Sequence, residues 1–131
     1  MKPTVIVIDD DEESAEILSD LLRLRSIDVL GMGYNGLEAV ELYQKHSPNV
    51  VIMDYWMPDF DGLYGLNNIR NLDSNAKVII LTGSSKHEHD KELINSNPSA
   101  IIGKPFDTNT LVELIDKISL GDVIELDGAK S

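Results

Sequence analysis

The chain has 131 residues, with 11 Lys and Arg against 23 Asp and Glu for a formal charge of −12, and its 42% hydrophobic content suits one domain with a filled core rather than a disordered or fibrous chain. It contains no cysteine, which excludes a disulfide framework, a thiolate zinc site and a cysteine nucleophile together, so any metal must sit on oxygen or imidazole. The acidity opposes direct binding to nucleic acid or to an anionic membrane. The apolar run after Pro3 is too short for a signal peptide, and nothing approaches the roughly 18 apolar residues of a membrane span, so the expected location is soluble and cytoplasmic.

The predicted elements alternate in chain order. Thr4–Ile8 reads as a buried strand, and Glu12–Arg25 as a helix with Ile17, Leu18, Leu21 and Leu22 on one stripe. Ile27–Gly31 is a weaker strand, followed by a helix over Asn35–His46 that places Ala39, Val40 and Tyr43 on a shared face and ends before Pro48. Asn49–Met53 and Lys77–Leu81 are apolar through their middles, as strands covered on both faces are, and a helix over Gly62–Asn71 lies between them. A helix over Lys86–Ser96 has only Leu93 and Ile94 as strongly apolar anchors. Ser99–Gly103 is a further weak strand, and Thr110–Leu120 a last helix with Leu111, Leu114, Ile115 and Ile118 inward. Such alternation with short loops predicts an α/β fold: a three-layer (βα)5 sandwich around a five-stranded parallel sheet with right-handed crossovers. Neither a P-loop nor a G-x-G-x-x-G spacing occurs.

In open parallel sheets the functional site lies outside the carboxyl ends of the strands. Here those ends deliver Asp9, Asp10 and Asp11 from the first strand, Asp54 from the third, Thr82 and Gly83 from the fourth, and Lys104 and Pro105 from the fifth. Singly, each has an ordinary reading as a helix cap, a turn or an exposed lysine, and Asp11 or Glu12 is expected to cap the first helix. Together they place carboxylates, a hydroxyl and an amine on one sheet edge. Crowded carboxylates raise one another's pKa unless a cation intervenes, and Mg²⁺ is suited to such an oxygen half-shell. The set fits phosphoryl transfer to a carboxylate, with Asp54 attacking in line, Thr82 donating a hydrogen bond and Lys104 balancing charge.

Asp9-Asp10, Asp54 followed by Met57-Pro58 and Asp61-Gly62, Thr82-Gly83 and Lys104-Pro105 together resemble the receiver domain of two-component response regulators, over residues 3 to about 120. The resemblance implies a flavodoxin-like sheet of strand order 2-1-3-4-5, with Asp54 as phosphoacceptor. It further implies Asp10 as a direct Mg²⁺ ligand, Asp9 as a ligand acting mainly through water, Asp54 and the backbone carbonyl of Trp56 completing the protein ligands, and Thr82 and Lys104 contacting the phosphoryl group. The Lys104-Pro105 bond is expected to be cis. Implied partners are a sensor histidine kinase or phosphotransfer protein and a downstream protein effector, with no nucleic acid or membrane, and a monomer that dimerises, if at all, on activation. Residues 1–120 would form the receiver and 121–131 a tail without an effector domain. The chain would be no enzyme beyond its own phosphotransfer and acyl-phosphate hydrolysis.

Two positions depart from the family pattern. Ile101 stands where Tyr or Phe is usual, three residues before the lysine, and Trp56 stands where smaller or polar side chains are common, which invites shielding of the site or packing on Met57. Two other readings remain beside the receiver. One is a pseudo-receiver serving only as an interaction module; the other is a small phosphatase with an aspartyl nucleophile, which would want a second Asp at the place of Trp56. His87 and His89 diverge at helical spacing and are read as exposed rather than as a metal pair. His46 reads as a helix C-terminal residue, Met57 as a loop anchor, and Asp59 and Asp61 as turn formers.

Overall fold

A computed structural model describes residues 2–83 and 90–126. The strands are β1 (Thr4–Ile8), β2 (Asp28–Gly33), β3 (Val50–Asp54), β4 (Val78–Thr82) and β5 (Ala100–Gly103). The helices are α1 (Glu12–Leu24), α2 (Gly36–His46), α3 (Gly62–Leu72), α4 (Lys91–Asn95) and α5 (Thr108–Ser119). All strand pairs are parallel, in the order β2-β1-β3-β4-β5. This is the expected flavodoxin-like sandwich, with β3 at its centre. Among the described residues no helix is long and apolar enough to cross a membrane.

Because strand side chains alternate between faces, each strand feeds two cores. Val5, Val7, Val50, Ile52, Ile79, Leu81, Ala100 and Ile102 pack with α1 and α5 in a first core. Ile6, Ile8, Val51, Met53, Val78 and Ile80 pack with α2, α3 and Leu93 of α4 in a second. Burial on both faces explains the unbroken apolar runs that mark these strands in the sequence.

Helix starts follow capping chemistry. Asp11, Asn35, Asp61, Asp90 and Asp107 each accept a hydrogen bond from a backbone N–H of the first turn, satisfying donors that the helix leaves free. Asp11, rather than Glu12, caps α1. The helix expected from Lys86 begins, within the described residues, only at Lys91, because Asp90 is extended and acts as its cap; Lys86, His87 and His89 lie outside the described residues. The α1 stripe is also rotated from expectation. Ala15, Ser19 and Leu22 are buried, whereas Ile17 is 55% and Leu21 40% exposed, flanking a groove of about 520 Å³ against the β5–α5 loop.

The start of α3 sits tight against the central strand. A Cβ placed on Gly62 would lie 2.4 Å from the carbonyl oxygen of Asp54 and 2.8 Å from Cα of Tyr55, both backbone atoms that cannot swing aside. The Gly62 N–H donates to the carbonyl of Tyr55 at 2.8 Å. Gly62→Ala is therefore expected to cost about 2 kcal/mol or more through overpacking, seen as a lowered urea midpoint; a midpoint within error of the native chain would show that this contact is loose.

Candidate functional site

Alternation places the site. Asp54 continues the Val50–Ile52 side of β3, Asp9 continues the Val5–Val7 side of β1, and Lys104 continues the Ala100–Ile102 side of β5. All three therefore leave the carboxyl edge on the same face, that of α1 and α5. The Lys104 ammonium donates to Asp54 Oδ2 at 2.9 Å, lies 2.8 Å from Oδ1, and is 3.9 Å from Asp9 Oδ2. The Lys104-Pro105 peptide bond is cis, and the Lys104 N–H donates to the carbonyl of Thr82 at 2.7 Å, which fixes where the lysine leaves the sheet.

Asp54 is only 7% exposed and Asp9 8%, while Asp10 is exposed. Asp9 Oδ1 accepts the N–H of Asp11 at 2.9 Å, which turns the acidic loop back over the edge. Burial pushes the Asp54 carboxyl up to about 7; the hydrogen bond and charge of Lys104 pull it down, and the Asp9 charge raises it again. One lysine thus leaves this carboxylate under-compensated. Carboxylate oxygens of Asp9, Asp10 and Asp54 lie within 4.8 Å of one another, and an all-oxygen, crowded and anionic set is what a hard divalent cation such as Mg²⁺ fits.

Thr82 follows the other alternation, that of Val78 and Ile80, and is fully buried. Among the described residues its Oγ1 has no hydrogen-bond partner, an uncommon position for a buried hydroxyl. Trp56 is 68% exposed, whereas Met57 is 3% exposed in the second core, so Met57 is the loop anchor and the indole is not packed away. Asp61 caps α3 and Asp59 takes a left-handed turn conformation at φ 67°, both as turn formers, and His46 ends α2. Ile101 lies partly buried against the second core.

Sequence reasoning missed one feature next to this cluster. Tyr55 donates its phenolic hydrogen to Asp90 Oδ2 at 3.1 Å, joining residues 35 apart in the chain. The Asp-Lys-Glu run ahead of Leu93 and Ile94 is a capping signal that marks Asp90 as special, but nothing local pairs it with Tyr55.

The family model for the response regulator receiver domain matches residues 5–116. The chain is 32% identical over 119 residues to chemotaxis protein CheY of Thermotoga maritima, covering 91% of this chain and 99% of that one. It is 30% identical to chemotaxis protein CheY of Bacillus subtilis, covering 89% and 98%. Among solved structures, a DNA-binding response regulator of the LuxR family from Staphylococcus aureus superposes with a TM-score of 0.81 at 30% identity, covering 89% of this chain and 98% of that one. The CheX–CheY–BeF3–Mg²⁺ complex from Borrelia burgdorferi gives 0.80 at 26%, covering 88% and 87%. With the acidic edge, the lysine and the sheet order in place, the chain belongs to the response regulator receiver domain family, with CheY-like proteins among its relatives.

Proposed function

We propose that Asp54 accepts a phosphoryl group from a phosphohistidine of a sensor kinase or phosphotransfer protein, in a Mg²⁺-dependent reaction, and that the product changes binding to a downstream protein in the cytoplasm. The observation that carries this reading is the pairing of a buried, under-neutralised Asp54 with Lys104 beside Asp9 and Asp10. Asp9, Asp10, Asp54 and the backbone carbonyl of Trp56 would hold the cation, which neutralises charge on the transferring phosphoryl oxygens. An Asp54 oxygen forms the new bond to phosphorus while the P–N bond of the donor breaks, its electron pair staying on the imidazole. Lys104 moves its hydrogen bonds from the carboxylate to the phosphoryl oxygens, so no buried charge is stranded. The Thr82 hydroxyl, which has no partner among the described residues, gains an acceptor.

The exposed Trp56 reports on the site. Mg²⁺ followed by beryllofluoride, a phosphoryl mimic, is expected to give two saturable changes in its fluorescence. Acetyl phosphate with Mg²⁺ is expected to add the mass of one phosphoryl group, and Asp54→Asn to lose that adduct. An adduct at full occupancy in the Asn variant would move the acceptor elsewhere.

The raised pKa of Asp54 sets a pH dependence with a defined sign. Below about pH 4 the carboxyl is neutral in folded and unfolded chains alike and has no linked effect. Between 3.8 and about 7 the unfolded chain ionises first, so ionisation weighs increasingly against folding, and above about 7 the penalty is constant. Asp54→Asn keeps the neutral shape. With divalent ions chelated, its stability advantage over the native chain is expected to widen by roughly 2 to 3 kcal/mol from about pH 5 to about pH 8. Urea midpoints at the two pH values measure it, and an advantage that narrows with rising pH contradicts the assignment.

A further inference from the structure

We propose that the Tyr55–Asp90 hydrogen bond is a clasp that holds the start of α4 to the strand carrying Asp54, and that releasing it makes the site take up a phosphoryl group more readily; the inference rests on Asp54 being the phosphoacceptor. Tyr55 directly follows Asp54, and its backbone is pinned on both sides. Its N–H donates to the carbonyl of Leu81, and its carbonyl accepts from Gly62, each at 2.8 Å. The ring is half-buried and follows the Val51–Met53 alternation into the second core, the one that also receives Leu93 of α4 and Ile101 of β5. The phenol donates to Asp90 Oδ2 at 3.1 Å, while Asp90 Oδ1 accepts the N–H groups of Glu92 at 3.0 Å and Leu93 at 3.4 Å. A single carboxylate therefore ties the phosphoacceptor strand to the cap of a helix of only 5 residues, whose buried anchors are Leu93 and Ile94.

The two ends of the β4–α4 connection are held differently. Thr82 fixes one end within the sheet, with a buried hydroxyl that lacks a partner among the described residues and that a phosphoryl oxygen on Asp54 would satisfy. Asp90 fixes the other end through Tyr55. Ile101 offers no aromatic ring to record the movement of Thr82, and Tyr55 is the aromatic side chain on that core face attached to the backbone of the reacting strand. The clasp is made where Lys104 holds Asp54 directly. It favours that arrangement, and its loss shifts the population toward the phosphoryl-bound one.

The test is a beryllofluoride titration at saturating Mg²⁺, followed by Trp56 fluorescence, on the full chain and three variants. Tyr55→Phe keeps the ring and removes only the hydroxyl. Asp90→Asn keeps a side chain that caps helices as well as Asp does but cannot serve the cap and the phenol with two acceptor oxygens. Each single variant is expected to half-saturate at about fivefold lower beryllofluoride, the factor corresponding to a net hydrogen bond of about 1 kcal/mol. The double variant is expected to go no further, as two ends of one bond require. A purely structural bond would lower the urea midpoint without moving half-saturation. Unchanged or weakened binding in the single variants, or additive effects in the double, overturns the clasp while leaving the phosphoacceptor reading intact. A native chain that does not bind beryllofluoride removes both.

Discussion

The structure depends on where it puts one carboxylate. Asp54 ends the central strand of a sheet covered on both faces, so water is largely withdrawn from it, and among the described residues the fold supplies a single ammonium in return. A buried carboxylate normally forces the protein either to pair it fully or to protonate it. Here neither is complete, and Asp9 and Asp10 add to the deficit rather than relieve it. On the proposed function, the stability forgone at this edge is what would favour a cation and a group that brings its own hydrogen-bond acceptors to Lys104 and Thr82.

The two-core architecture separates the charged cluster from the layer that holds α4. Asp9, Asp54 and Lys104 share the alternation that faces α1 and α5, so this cluster of charges lies on that side. Thr82, Tyr55 and Ile101 share the opposite alternation, facing α2, α3 and α4. Neighbouring residues thus serve opposite layers: Asp54 meets Lys104 and Tyr55 reaches the cap of α4. A change at the acidic edge can alter the second core only through backbone positions common to both faces, which are the last residues of β3 and β4. The close fit of Gly62 on the Asp54 carbonyl and the hydrogen bond between Gly62 and Tyr55 keep the β3 end from absorbing such a change, leaving the β4 end to move.

Much of this was legible in the sequence because the site residues abut the strands. A run such as Val50–Met53 declares a strand by composition, so the position of Asp54 at its carboxyl end follows within a residue, and the same holds for Asp9 after Ile8 and for Lys104 after Gly103. On α1, Leu18 and Leu22 of the expected stripe do face the first core, but Ala15 and Ser19, buried small residues that carry little hydropathy, share that side, whereas Ile17 and Leu21 line a groove. Asp90 interrupts the helix expected over Lys86–Ser96, because its side chain caps the turn that begins at Lys91. Contacts between distant segments left no periodic trace. Tyr55 with Asp90 is one case, and the guanidinium of Arg70 is another: it donates to the carbonyls of Ala76 and Asn97 and fastens the end of α3 to the entrances of β4 and β5.

With Ile101 in place, the size of the output is governed by energetics more than by the travel of a side chain. A partner that distinguishes the two arrangements shifts their ratio only by its differential affinity, and the arrangement it prefers must in turn bind it better by the same factor. If the second core offered a swinging aromatic ring, that difference would be written on the surface as a changed shape. Without one, on the proposed function, it would be carried by the position of α4, which is held by two apolar side chains, a capped first turn and the Tyr55–Asp90 hydrogen bond. A helix so lightly held is cheap to displace, since few contacts are lost when it moves. The brevity of α4 and the absence of an aromatic at 101 are therefore complementary: the smaller the internal signal, the weaker the element that reads it needs to be.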